Sequence, residues 1–221
     1  MTQFNQAELE IYQGQFGEFT ITPSDRQGVI VYRSGLAVAA VSFAVGSWLV
    51  LSQGSNPLVL AALTPLYAIF CIALGVSLVT IHIYMVALHR VLQGFWVIGS
   101  LAAIGLAIYS NEPLALFVYN HPLSIFGIGF TFAALTGIYF KEAFCFNRIE
   151  TKFLTPLVPL LLLGHLSRIL PVVGEQLLLG IWAALFLVFA LRKVMQPIPP
   201  DIGDKSVFTY LEQQRTAQSS L

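Results

Sequence analysis

Ionisable side chains are scarce in the long apolar stretches of this sequence, and three of them lie close together. His165 and Arg168 are three positions apart, so they share one side of a helix, and Glu175 follows just beyond a turn. Ionisable residues in or near a membrane are costly and usually paired, which favours an Arg168–Glu175 ion pair. Two interpretations remain open. The group is an ion or proton site with His165 as the titrating residue, or it is a polar staple between two helices.

His82 and His89 form a second candidate site. They are seven positions apart, which places them on one face of a single predicted helix, with about 10 Å of rise between them. That separation is too large for one shared metal ion, because paired helical ligands lie three or four positions apart. Each could separately be an axial ligand of haem or chlorophyll, and His82 is the deeper candidate. The alternative for each is a hydrogen-bonded histidine near a basic corner.

Enzymatic motifs are missing from the sequence. It contains no Gly-rich phosphate loop, nucleophile elbow, zinc-protease helix or CxxC pair, and no two carboxylates placed for acid–base chemistry. We therefore expect a protein that is not an enzyme and has no metal site. The 11 basic and 11 acidic residues balance, which leaves no large basic face for nucleic acid.

The composition belongs to the membrane class. The chain has 221 residues, of which 57% are hydrophobic and only 10% are charged. A soluble domain carries about 25% charged residues. We therefore expect the lipid bilayer to surround most of the chain.

The apolar runs predict an all-α polytopic membrane protein with six transmembrane helices. Each run is close to the roughly 20 residues needed to cross a ~30 Å hydrocarbon core. The predicted helices cover about residues 31–52, 58–85, 92–109, 122–140, 154–170 and 176–191. The domain organisation follows: a polar N-terminal segment at 1–22, a bundle at 23–195 and a cytoplasmic tail at 196–221.

Local patterns predict how the helices begin and what joins them. Thr22 is the expected N-cap of an amphipathic entry turn that leads into the first spanning helix, with Pro23 as the first helical residue and Asp25 in the first turn. Residues 14–22 alternate in polarity, which is typical of a short extended segment. Residues 114–120 are too few to span and are predicted to be interfacial. Residues 141–152 form a predicted charged loop. Gly99 and Ala103 share one side of a helix, which favours close helix packing within the bundle.

The distribution of basic residues predicts the orientation of the bundle. With six spans, ten of the 11 basic residues fall on one side, namely Arg26, Arg33, Arg90, Lys141, Arg148, Lys152, Arg192, Lys193, Lys205 and Arg215. The opposite loops hold only Arg168. Because cytoplasmic loops are enriched in lysine and arginine, both termini are predicted to be cytoplasmic.

Several segments resemble a known family. The run GQFGEFTITPSDR at residues 14–26, followed by VIVYR at 29–33, is similar to the N-terminal signature of an uncharacterised integral-membrane family found mainly in cyanobacteria. GVSL at 75–78, HIYM at 82–85 and LHRVLQ at 88–93 resemble the same family. The resemblance implies a photosynthetic host and a thylakoid or plasma membrane location. It implies no activity and no catalytic residues.

Two functional hypotheses follow. The first is a non-enzymatic accessory or assembly factor for a photosynthetic membrane complex, with the subunits of that complex as partners. Small-residue helix faces and the polar segments outside the membrane favour this hypothesis. The alternative is a small ion or solute transporter or channel, favoured by His82, His165, Arg168 and Glu175.

Overall fold

Six membrane-length helices and a small hairpin make up most of the fold. The structure, a computed structural model, describes residues 10–54, 56–83 and 85–219; residues 1–9 of the predicted N-terminal segment and 220–221 of the tail lie outside this range. In chain order the elements are β1 (Ile11–Gly14), β2 (Gly17–Thr20), α1 (Pro23–Gln53), α2 (Pro57–Thr80), α3 (Val86–Tyr109), α4 (Leu114–Asn120), a 3₁₀ turn (Pro122–Ser124), α5 (Ile125–Phe146), α6 (Ile149–Leu166), α7 (Val172–Met195), α8 (Pro199–Ile202) and α9 (Ser206–Ser219). Helices α1, α2, α3, α5, α6 and α7 are long and apolar enough to span a membrane, which confirms the predicted six spans.

The start of α1 is fixed by the predicted cap. The Asp25 amide donates to the Thr22 hydroxyl at 3.2 Å, and the Thr22 amide donates to the Asp25 carboxylate at 2.8 Å. This reciprocal capping box satisfies backbone donors that the first turn leaves free. The helix then runs unbroken from Pro23, so the turn expected before residue 31 belongs to the same helix.

The extended segment forms an antiparallel hairpin that contacts the C-terminal part of the chain. Tyr12 pairs with Phe19 across β1 and β2, and Gly17 makes the turn at a φ of 134° that a side chain would strain. The Phe16 amide donates to the Ser206 hydroxyl at 3.0 Å, and the Phe16 ring stacks on Tyr210 at 4.0 Å. The two described ends of the chain therefore lie on the same face of the bundle, here called the hairpin face.

The junction between the second and third spans differs from the prediction. One helix was expected over 58–85 and the next over 92–109, but α2 ends at Thr80 and α3 begins at Val86. The free carbonyl of Leu78 at the end of α2 accepts hydrogen bonds from His89 at 2.6 Å and Gln93 at 3.3 Å. These side chains replace the backbone donors that a longer helix would supply.

The predicted charged loop at 141–152 is also wrong. Helix α5 continues to Phe146 and α6 begins at Ile149. Asn147, in the left-handed region at a φ of 51°, makes the turn between them. Lys141 and Glu142 are consequently helical and buried rather than solvated.

The six spans form a ring that follows the order of the chain. Helix α1 packs between α2 and α7, α6 packs between α5 and α7, and α3 packs on α5. The contact between α2 and α3 closes the ring and is the least extensive of the six, while the short α4 lies against α2 and α3. The ring encloses a shared core in which the largest fully buried side chain is Trp182.

Glycine sets the distance between α3 and α5. A Cβ on Gly99 would overlap the backbone nitrogen and the hydroxyl oxygen of Thr131. A Cβ on Gly105, on the same helix, would meet no atom within 4 Å. The predicted close packing of Gly99 is therefore a contact between two helices of one chain.

We predict that Gly99→Ala lowers the free energy of unfolding by about 1–3 kcal/mol, because the two backbones must separate. The matched Gly105→Ala variant should be neutral or gain up to about 1 kcal/mol from helix propensity. Titration of the purified protein from mild detergent into SDS measures both changes. Equal effects at the two positions would contradict the close approach.

Candidate functional site

A cavity of about 570 Å³ lies in the half of the ring away from the hairpin face. The end of α1, the start of α2, α4, the start of α5, the end of α6 and the start of α7 line it. Most of the lining side chains are aliphatic or aromatic. The polar lining residues are Ser42, Ser47, Thr64, Tyr67, Tyr119, His165, Glu175 and Gln176. The volume and the lining of this cavity are typical of a small-molecule site, which usually has about 300–1,000 Å³ and a mainly apolar lining.

Helix α4 helps to form this cavity. It is the short interfacial segment predicted at 114–120, and it supplies Leu114, Leu116 and Tyr119 to the lining. The Leu114 amide lies 3.4 Å from the Thr64 hydroxyl of α2, which ties the start of α4 to the ring. A segment too short to cross the membrane therefore lies against the cavity.

His165 and Glu175 meet at the outer end of the cavity, which is the end farthest from the hairpin face. His165 Nδ1 donates to Glu175 Oε1 at 2.7 Å, and the two side chains are 16% and 14% exposed. The bond joins the last turn of α6 to the first turn of α7. The Tyr119 ring lies 5.1 Å from the imidazole, and burial followed by the Glu175 charge raises the pKa of the Tyr119 phenol. The predicted staple geometry is present, and it faces a cavity.

Arg168 does not join this pair, so the predicted Arg168–Glu175 ion pair is wrong. Helix α6 ends at Leu166, and Arg168 takes the left-handed conformation at a φ of 55° in the following turn. The amides of Ile169 and Leu170 return to the Gly164 carbonyl, which closes the helix end. This turn leaves Arg168 exposed, and no ion pair within the described part of the chain includes it.

The two histidines of the second candidate site, His82 and His89, do not share a helix face, contrary to prediction. His82 lies between α2 and α3, whereas His89 is in the first turns of α3 and binds the Leu78 carbonyl. The hydrogen-bonded interpretation therefore holds for His89. His82 lies against Gly28 of α1, outside the cavity, and burial lowers its pKa.

Aromatic rings form the floor of the cavity. Phe43, Phe70 and Phe132 line it and contact one another at centroid distances of 5.8–6.4 Å. Trp182 lies beneath them, with its ring centroid 4.5 Å from that of Phe43. The indole N–H of Trp182 donates to the Tyr139 hydroxyl at 3.2 Å. This layer of rings separates the cavity from the hairpin face.

A buried ion cluster lies beyond the aromatic layer. Lys193 has no exposed side-chain surface, and its ammonium lies 2.6 Å from Glu142 and 2.5 Å from Asp201. Lys141 also contacts Glu142 at 2.8 Å, and Arg33 contacts Asp201 at 2.7 Å. The cluster joins α1, α5, α7 and α8, so the start of the C-terminal tail is fixed to the bundle.

Sequence reasoning missed this cluster because Lys141 and Glu142 were assigned to a charged loop, Lys193 to the stretch after the last predicted helix, and Asp201 to the tail. A signal was present in the spacing of α7: Glu175, Leu179, Trp182, Phe186, Phe189 and Lys193 recur at intervals of four and three. Residues at this spacing share one face of a helix. Lys193 continues the apolar face and should therefore be buried, with an acidic partner.

The six spans define a polytopic integral membrane protein. The cavity above the aromatic floor is its candidate small-molecule site. The chain belongs to the family described as Uncharacterized integral membrane protein (DUF2301), whose model matches residues 76–210. The matched range holds Glu142, His165, Glu175, Lys193 and Asp201, and it begins after the N-terminal run that resembles the family. Neither a curated protein nor a solved structure matches the chain significantly.

We predict that Lys193→Met lowers the free energy of unfolding by roughly 3 kcal/mol or more, because removing one partner of a buried ion pair leaves charge uncompensated. The adjacent Arg192 is the control. Arg192 is 54% exposed, and its buried partner Glu150 keeps a second ion pair with Arg148 at 3.3 Å, so Arg192→Met should cost no more than about 1 kcal/mol. Unfolding titrations in mixed micelles measure both values, and equal losses would show that the buried cluster contributes no more than the exposed Arg192 pair.

Proposed function

We propose that this protein is a non-enzymatic membrane protein that binds a largely apolar small molecule in its cavity and serves as an accessory or assembly factor of a larger membrane complex. The observation that carries the proposal is the cavity of about 570 Å³ with its mainly apolar lining and a single acid–base pair. Such a site buries an apolar body and orients it through a few polar groups. The photosynthetic host and the thylakoid or plasma membrane remain part of the proposal through the family resemblance.

A cavity-filling variant tests ligand binding. Gly46 lines the cavity, and a Cβ there would lie 3.7 Å from Leu63, so Gly46→Leu extends a side chain into open space. We predict that a small molecule extracted by organic solvent from the gently purified wild-type protein is at least tenfold depleted in Gly46→Leu. Mass spectrometry of the extract measures it. Gly105→Leu, which adds the same side chain where no atom lies within 4 Å, should retain the ligand.

The same preparation tests the rest of the proposal. Its absorption spectrum reports a bound chlorophyll or haem, and a band removed by His82→Ala would move the ligand site from the cavity to the α2–α3 junction. Reproducible co-purification of membrane subunits supports the accessory role. A ligand-free and solitary wild-type protein would overturn both halves of the proposal.

Transport is the second candidate, favoured by the placement of the cavity in one half of the ring. Alternating access needs a site that opens to one side at a time. The aromatic floor and the ion cluster close the other half, so passage requires a second conformation. Ligand flux into proteoliposomes that Gly46→Leu abolishes and Gly105→Leu retains would replace the binding role with transport.

We further propose that the hairpin face is cytoplasmic, on the basis of its basic residues. Two exposed positions on opposite sides test this: Gln213 in α9 and Asn111 after α3. In a Cys145→Ser background, a membrane-impermeant maleimide should label Gln213→Cys only in inside-out vesicles and Asn111→Cys only in right-side-out vesicles. The reverse pattern would place the hairpin face outside.

A further inference from the structure

The charge of the cavity lining restricts what the cavity accepts. Among the described residues that line the cavity there is no lysine, arginine or aspartate, and Glu175 is the one carboxylate. His165 donates its Nδ1–H to that carboxylate and holds it at the outer end of the cavity. The pair carries a charge of −1 with a neutral imidazole and of zero with an imidazolium, so in either form the lining has no net positive charge. A carboxylate removed from bulk water in this way favours a positively charged partner.

The aromatic lining favours the same sign of charge. Phe43, Phe70 and Phe132 form the floor, and Tyr67 and Tyr119 lie along the walls. The faces of aromatic rings are negative and attract cations within about 6 Å. An anionic ligand would meet the Glu175 carboxylate and these ring faces with no lysine or arginine in the lining to offset them.

From these observations we infer that the cavity binds a hydrophobic organic cation. This inference rests on the proposed binding function. Its apolar groups occupy the aliphatic and aromatic interior, and its positive charge lies near Glu175. His165 is a positioning residue, since it acts by fixing the carboxylate. The interaction is non-covalent, and the cation enters and leaves unchanged.

Two probes of matched shape and opposite charge test the inference. Tetraphenylphosphonium and tetraphenylborate each carry four phenyl rings, so they differ mainly in the sign of the charge. Equilibrium dialysis against the purified protein in zwitterionic nanodiscs, with empty nanodiscs as the blank, measures both. We expect tetraphenylphosphonium to bind at least tenfold more tightly than tetraphenylborate, and Gly46→Leu to weaken its binding at least tenfold.

Glu175 variants assign the selectivity to its charge. Glu175→Gln keeps the size of the side chain and should reduce tetraphenylphosphonium affinity at least tenfold, while Glu175→Asp keeps the charge and should retain most of it. His165→Gln should have a smaller effect than Glu175→Gln. If Glu175→Gln does not purify as a folded protein, the comparison of the two probes and the Glu175→Asp variant still decide the outcome.

The outcomes separate this inference from the proposed function. Equal binding of the two probes, weakened alike by Gly46→Leu, would overturn the cation inference and keep the binding function. Tetraphenylphosphonium binding that Glu175→Gln leaves unchanged would also overturn it. If no probe binds and no ligand is extracted from the wild-type protein, both the inference and the proposed function fail.

Discussion

The need to pair the buried ammonium group of Lys193 is the constraint on which the closed half of the molecule depends, that is, the half between the aromatic floor and the hairpin face. The half that holds the cavity is the open half. A fully buried lysine must be paired, and here one carboxylate comes from α5 and the other from α8. Asp201 follows the proline-rich segment after α7, and the Arg33 guanidinium holds that segment further by donating to the carbonyls of Gln196 and Pro197. The first part of the tail therefore completes the core at the hairpin face. Releasing it would leave a buried cation with half of its partners.

Helix α7 connects this cluster to the cavity. Glu175 and Lys193 lie on the same face, about 27 Å apart along the helix, with Trp182 and Phe186 between them. The face is polar at each end and aromatic in the middle, so each charged end needs a partner from a neighbouring helix. His165 supplies it at the open half, and Glu142 supplies it at the closed half. The spacing of one helix thus places one buried or half-buried ion pair in each half of the bundle.

Hydropathy and capping rules predicted the number of spans, the start of α1 and the short α4, because each depends on local sequence. The break between α2 and α3 depends on side chains of α3 that reach back to the Leu78 carbonyl, a contact that hydropathy along the chain does not report. Lys193 was placed after the end of the last predicted helix because it is charged. Its spacing from Trp182 and Phe186, which puts it on the same helix face, predicts burial instead. The cavity is different again, since its volume depends on how six helices and α4 pack together, and no single segment encodes it.

The closed half also bears on how a bound molecule could behave. Passage through the ring would require the floor rings to separate and the ion cluster to break, and losing one partner of a buried pair costs about 3–5 kcal/mol. That cost alone limits an open state to between roughly one molecule in a hundred and one in a few thousand, at about 1.4 kcal/mol for each factor of ten. Separating the aromatic layer adds to it. Binding from the open half meets neither cost, because the cavity is already formed there, and this asymmetry is the physical reason to place binding ahead of transport.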